Sequence, residues 1–148
     1  MTTKRKIEAQ RWFQQAFYDL KASRWNIQGG FYDTACFLAQ QAGEKALKSL
    51  LYYQGARRAA LLTHSLFEMV LEAGKKTIQA KELLDQAREL DLHYIPSRYP
   101  NGIPSGYPHE FYSKKVAEQA VTSAEKIFSS VQDYFLSAGE KDILPNQN

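Results

Sequence analysis

Apolar residues recur along most of this chain at spacings of three and four, the period of a helix with one buried stripe. Between Ile7 and Gln28 the stripe is Ala9, Phe13, Ala16, Leu20, Ser23 and Ile27. It predicts a first helix, closed at Gly29-Gly30, where glycine takes up the left-handed conformation at little cost. A second helix is predicted from Tyr32 to Gln54, with Cys36, Ala39, Gly43, Ala46 and Leu50 on one face. Alanine and glycine at 39, 43 and 46 imply close approach by a neighbouring helix, because a mid-helix glycine costs ~1 kcal/mol relative to alanine.

After Gly55 and a basic connector, Ser65-Leu66-Phe67-Glu68 fits a capping box and opens a short third helix to about Ala73, ending at Gly74. A fourth is predicted from about Gln79 to Tyr94, facing inward through Leu83, Ala87, Leu90 and Tyr94. The last runs from Ser113 to about Phe135 and buries Ala117, Ala120, Ala124, Ile127, Val131 and Tyr134. No stretch alternates at the strand period of two. The expected fold is therefore all-α: an up-and-down bundle of four long helices plus one short helix. One domain is expected over 1–148, with its core at about 8–135 and a loose tail from 136.

Composition narrows the class without deciding the function. The chain has 148 residues, 44% of them hydrophobic and 24% charged, which suits one folded soluble domain. A net charge of +3 permits contact with RNA or another anion but does not demand it. The single cysteine, Cys36, excludes an internal disulfide and a cysteine-based zinc cluster, and its apolar setting marks a core thiol. No window reaches the roughly 18–20 apolar residues of a membrane span, so a cytoplasmic location is expected.

Leu90–Tyr112 departs from the rest. These 23 residues contain four of the five prolines (Pro96, Pro100, Pro104 and Pro108), four tyrosines, His93, His109 and one arginine, Arg98. So long a connection in a small domain is often functional. Arginine presents a planar fork of donors suited to phosphate, and tyrosines can stack on a base. Flanking prolines keep the segment extended and lower the entropy lost in fixing it. Alternatively, Arg98 pairs with Glu44 or another carboxylate and pins the loop to the bundle.

Further polar positions are candidates. Gln40, Glu44 and Lys48, with Gln41 and Lys45, form i, i+4 ladders on the second helix. A solvated face is the simpler reading; the other is a partly buried patch facing the long loop. His64 precedes the capping serine at a helix N-terminus, where amides attract anions. The three histidines have no metal-ligand spacing, and neither a glycine-rich phosphate loop nor a G-x-S-x-G elbow occurs. Neither a metal nor a cofactor is expected.

The string Phe37-Leu38-Ala39-Gln40-Gln41-Ala42-Gly43-Glu44-Lys45-Ala46-Leu47-Lys48 resembles the second-helix signature of HEPN (higher eukaryotes and prokaryotes nucleotide-binding) domains. The resemblance continues through Ala16, Asp19, Leu20, Tyr32 and His64-Ser65-Leu66. Leu90-Asp91-x-x-Tyr94-Ile95-Pro96-Ser97-Arg98-Tyr99-Pro100-Asn101 and Ala117, Glu118, Ala120 and Ala124 extend it over roughly residues 8–135. It implies a helical bundle that commonly dimerises and is often encoded beside a minimal nucleotidyltransferase, as in toxin–antitoxin or nucleotide-handling modules.

Many such proteins are metal-independent endoribonucleases whose mark is an arginine followed, after four to six residues, by a histidine. Here those positions beyond Arg98 are Ile103, Pro104 and Ser105. Arg57 and Arg58 precede His64 at suitable spacing, but earlier in the fold than the resemblance requires, which reads as coincidence. The resemblance thus implies a homodimeric nucleotide or RNA-phosphate-binding module. Its expected site comprises Arg98, Tyr99, Asn101, Glu44, Lys48 and Gln41. A ribonuclease using Arg98 with His109 or His64 is the alternative, and a purely structural interaction protein is the third.

Overall fold

A computed structural model of the protein describes residues 3–145. Among these, α1 (Thr3–Gln28), α2 (Tyr32–Gln54), α3 (Arg58–Leu62), α4 (Leu66–Gly74), α5 (Leu84–Asp91), α6 (Pro108–Phe111) and α7 (Lys114–Ser137) form an all-α bundle without strands. The first stripe behaves as its spacing predicts. Ala9, Phe13, Ala16, Leu20 and Ser23 are buried, and Asp19 joins them. Phe13 stacks on Phe128 at 4.5 Å between ring centres and meets Phe135 edge-on at 5.5 Å. These rings fasten α1 to α7.

The second helix is the axis of the molecule. It contacts α1, α7, α4 and α5, so almost every face of it is covered. Gly43 lies where α4 and α5 come closest: a Cβ there would be 2.7 Å from Leu66 Cδ2 and 2.9 Å from Leu90 Cδ1. The close approach expected from the small residues is thus made at this glycine. Because α2 is surrounded, its polar ladder is not a solvated face: Gln40 is fully buried, and Glu44 and Lys48 are 3% and 4% exposed.

Other expectations are corrected locally. The basic connector contains the short α3, and the fourth helix begins as a 3-10 turn over Ile78–Leu83. It ends as an α-helix at Asp91, three residues before Tyr94. In α7, Phe135 is fully buried while Tyr134 is only half-buried. The capping box is half-formed: Ser65 Oγ accepts from Glu68 N at 3.2 Å, but Ser65 N donates to Thr63 Oγ1 at 3.1 Å. The segment from 136 onward is anchored as far as it is described. Ile143 is buried in a 3-10 turn, and Gln10 and Gln14 donate to the Asp142 and Leu144 carbonyls.

A candidate phosphate site around Arg98

The chain between α5 and α7 follows a defined path. After Asp91 the backbone continues in tight turns, with Arg98 N donating to Ile95 O at 3.0 Å. Pro96 has no amide to donate, which favours leaving the regular helix here. Ser97 Oγ donates to His93 O, and a 3-10 turn over Pro100–Gly102 folds back onto Pro96. Gly102 permits that return, since a Cβ would lie 3.0 Å from Pro96 Cα. At the far end, His93 Nδ1 and the Tyr112 hydroxyl are 3.1 Å apart, fastening the start of the excursion to its close. Burial pushes the His93 pKa down and that of Tyr112 up to about 12, Tyr112 also lying near Cys36 and Asp33.

Arg98 emerges from this scaffold among aromatic rings. Its guanidinium carbon lies 4.4 Å from the Phe37 ring centre, 4.6 Å from Tyr94 and 5.0 Å from Tyr99. Nε donates to the Tyr94 carbonyl at 2.8 Å, so one edge of the fork is spent on the backbone. Among the described residues no carboxylate lies within ion-pair distance of Arg98. The pinning role considered from sequence, a salt bridge to Glu44, is therefore not made. A cation stacked on rings keeps its charge while its position is narrowed, worth about 0.5–2 kcal/mol per ring. The tyrosines stack on the arginine itself, though Tyr99 remains 49% exposed.

Glu44 is occupied elsewhere. Oε1 is 3.1 Å from His64 Nδ1, and Oε2 accepts from Lys48 Nζ at 3.4 Å. Lys48 also lies over the Trp12 ring at 5.2 Å. These two residues, expected to touch a ligand, instead form a buried pair. Gln41 donates to Gln40 Oε1 at 2.8 Å and accepts from Lys45, which pairs with Asp19 of α1. The ladder is thus a largely internal polar seam: Gln40, Glu44 and Lys48 are buried, Gln41 and Lys45 are half-buried, and His64 at its end is exposed.

His64 stacks on Tyr94, ring centres 5.0 Å apart and planes 17° from parallel. Tyr94 is consequently shared, with Arg98 and His64 both within 5.0 Å of its centre. The spacing of Arg57 and Arg58 to His64 does not create this arrangement; Arg57 pairs with Glu72. The other histidine candidate goes elsewhere: His109 Nδ1 is 3.0 Å from Asp33 Oδ1, and its ring packs on Phe31. Asn101 is exposed on the 3-10 turn.

Sequence reasoning missed Asp91 and Phe37. Asp91 Oδ1 accepts from Leu66 N at 2.7 Å, while Oδ2 accepts from Phe67 N at 3.1 Å and Ser65 Oγ at 3.0 Å. The anion position at the start of α4 is thus filled by the protein's own carboxylate. An aspartate seven residues before Arg98, preceded by a core leucine, was the available signal for this clamp.

With this geometry in view, the comparisons are specific. The HEPN domain family profile matches residues 9–134. The chain belongs to the HEPN family. TT1696 from Thermus thermophilus shares 34% identity at a TM-score of 0.78, covering 84% of this chain and 96% of that one. ST0689, an archaeal HEPN homologue, shares 35% identity at a TM-score of 0.70, covering 85% and 96%. A HEPN domain protein of Thermotoga maritima shares 33% at 0.66, covering 84% and 97%. "Putative toxin MJ1304" of Methanocaldococcus jannaschii is 26% identical over 133 residues, 85% of this chain and 87% of that protein. Among the described residues of this HEPN domain, no helix is long and apolar enough to cross a membrane.

Proposed function

We propose that this HEPN domain binds a phosphate of RNA or of a nucleotide at Arg98. The observation that carries the reading is a guanidinium set against three aromatic rings with no carboxylate among the described residues to satisfy it. Nε is committed to a carbonyl, which leaves the terminal N–H groups for an anionic guest and favours two parallel bonds to phosphate oxygens. Exposed Tyr99 adds a face on which a base can stack. The mildly basic net charge favours the same class of ligand.

On this reading the module acts as a homodimer beside a minimal nucleotidyltransferase, in a toxin–antitoxin-like or nucleotide-handling system. Resemblance to the archaeal protein named for a toxin supports that setting. The test is a ¹H–¹⁵N NMR titration with a short single-stranded RNA. Shifts should concentrate at the Arg98 Nε–H and the amides of Phe37, Tyr94 and Tyr99. Shifts confined to lysines elsewhere, or none at millimolar RNA, would remove the proposal.

A further inference from the structure

We infer that the cleft between α7 and the 3-10 turn over Ile78–Leu83 binds a small organic ammonium, an amine carrying an apolar chain or ring. This cleft shares no residue with the Arg98 site, and its occupancy neither supports nor weakens that reading. It encloses about 430 Å³, within the ~300–1,000 Å³ of small-molecule sites. Two local periods build its walls. In a 3-10 helix, side chains three apart eclipse one another. Thr77, Ala80 and Leu83 therefore form one row and Gln79 with Glu82 a second, and both rows line the cleft. The opposite wall is Ser130, Asp133, Tyr134 and Ser137, one face of α7 at i, i+3, i+4 and i+7.

Small side chains leave the space. Ala80 stands on one wall and Ser130 and Ser137 on the other. The turn packs chiefly on α4 and only lightly on α7, so nothing draws the walls together. Buried Leu50 and Val131 close the bottom.

The charges at the edge are of one sign. Glu82 and Asp133 are exposed, and among the described residues neither takes part in an ion pair. Among those residues, too, no lysine or arginine lines the cleft. Lys81, the one cation of the turn, lies instead against Gly74 of α4, where a Cβ would be 2.8 Å from its Cγ. An apolar-floored cleft edged by two unpaired carboxylates favours a cation. Tyr134 adds its ring, held edge-on with Tyr53 at 5.8 Å between centres, and a tyrosine face attracts an ammonium within about 6 Å. The hydroxyls of Thr77, Ser130 and Ser137 supply acceptors for the ammonium N–H groups. A bare metal ion would gain nothing from Leu50, Leu83 and Val131, whereas an alkyl or aryl group is buried against them.

The experiment is a ¹H–¹⁵N NMR titration of the intact protein with phenethylammonium, in parallel with neutral 2-phenylethanol. The ammonium should bind with a Kd of about 1 mM, suited to so small a ligand in an open cleft. Shifts should gather at the amides of Thr77, Ala80, Glu82, Asp133 and Tyr134. Glu82→Gln and Asp133→Asn should each weaken binding about two- to fivefold, the range of one exposed charge pair. The alcohol, which forgoes both pairs, should bind about three- to twentyfold more weakly than the ammonium. Ser130→Leu, at an exposed position, should fill the cleft and abolish binding while the melting temperature stays near that of wild type. Equal affinity for amine and alcohol would overturn the ammonium assignment. No saturation by about 20 mM amine, or undiminished binding in Ser130→Leu, would overturn the site itself.

Discussion

Asp91 ties together the two segments that carry the candidate site, so Asp91→Ala should damage both stability and binding. The carboxylate receives the Leu66 and Phe67 amides and the Ser65 hydroxyl, immediately after His64 and three residues before Tyr94. Leu66 is fully buried, and its orphaned N–H would cost about 1–3 kcal/mol. Phe67 and Ser65 are only half-buried, so water can replace their partner at smaller loss. Removing a negative charge from the start of α4 adds about 0.3–1 kcal/mol. Together these give a destabilisation of about 2–4 kcal/mol, or ~3 °C of melting temperature per kcal/mol for a domain of this size. Asp91→Asn retains one carbonyl acceptor in the same place and should lose about half as much. Urea unfolding at pH 7 measures both. Asp91→Ala within about 0.5 kcal/mol of wild type would show that the clamp is not what fixes α4.

The same equipment checks three further outcomes. Gly43→Ala gains helix propensity of about 1 kcal/mol but forces a methyl against the fully buried Leu66 and Leu90, an overpacking cost of about 1–3 kcal/mol. A net loss near 1 kcal/mol is expected, and a stabilised variant would contradict the packing described. Burial and the nearby Asp33 and Glu89 charges push the Cys36 pKa up to about 12. Its thiol should therefore resist a disulfide reagent at pH 8 until urea unfolds the chain; rapid labelling of native protein would refute this. Burial lowers the His93 pKa, so between its folded pKa and the unfolded value of about 6.5 the unfolded chain binds more protons. Stability should fall as pH drops below about 6.5, and His93→Asn should flatten that part of the melting profile. An unchanged slope in the variant would refute the assignment.

How much was legible depended on what each residue's period encodes. Ala9, Phe13, Ala16 and Leu20 announced α1 and its buried side, and Tyr32 and Gln54 bound α2 as predicted. Five residues of α3 and four of α6 are too few to display a period, so both were invisible. Gln40, Glu44 and Lys48 were legible as one stripe but not as a buried one. Periodicity groups residues on a face and says nothing about what covers it, and α2 is covered on nearly all sides. Arg98 stood out by composition and by family resemblance. Which of the candidate histidines, His64 or His109, lies near it was not legible, because the path between α5 and α7 decides which ring shares Tyr94 with it. That path rests on Ser97, Gly102 and the His93–Tyr112 contact rather than on spacing.

The central claim is that Arg98 grips a phosphate, and fluorescence anisotropy with a labelled 2′-deoxy oligonucleotide tests it most directly. Arg98→Ala gives up the three ring contacts and the hydrogen bond to the Tyr94 carbonyl, so it should melt below wild type while remaining folded at the assay temperature. Its affinity should fall about 10–100-fold, corresponding to one charge-assisted pair of hydrogen bonds. Arg98→Lys, which keeps the charge but loses the planar fork, should fall between the two. Equal affinity in wild type and Arg98→Ala, with both proteins folded, would place the phosphate elsewhere and contradict the account.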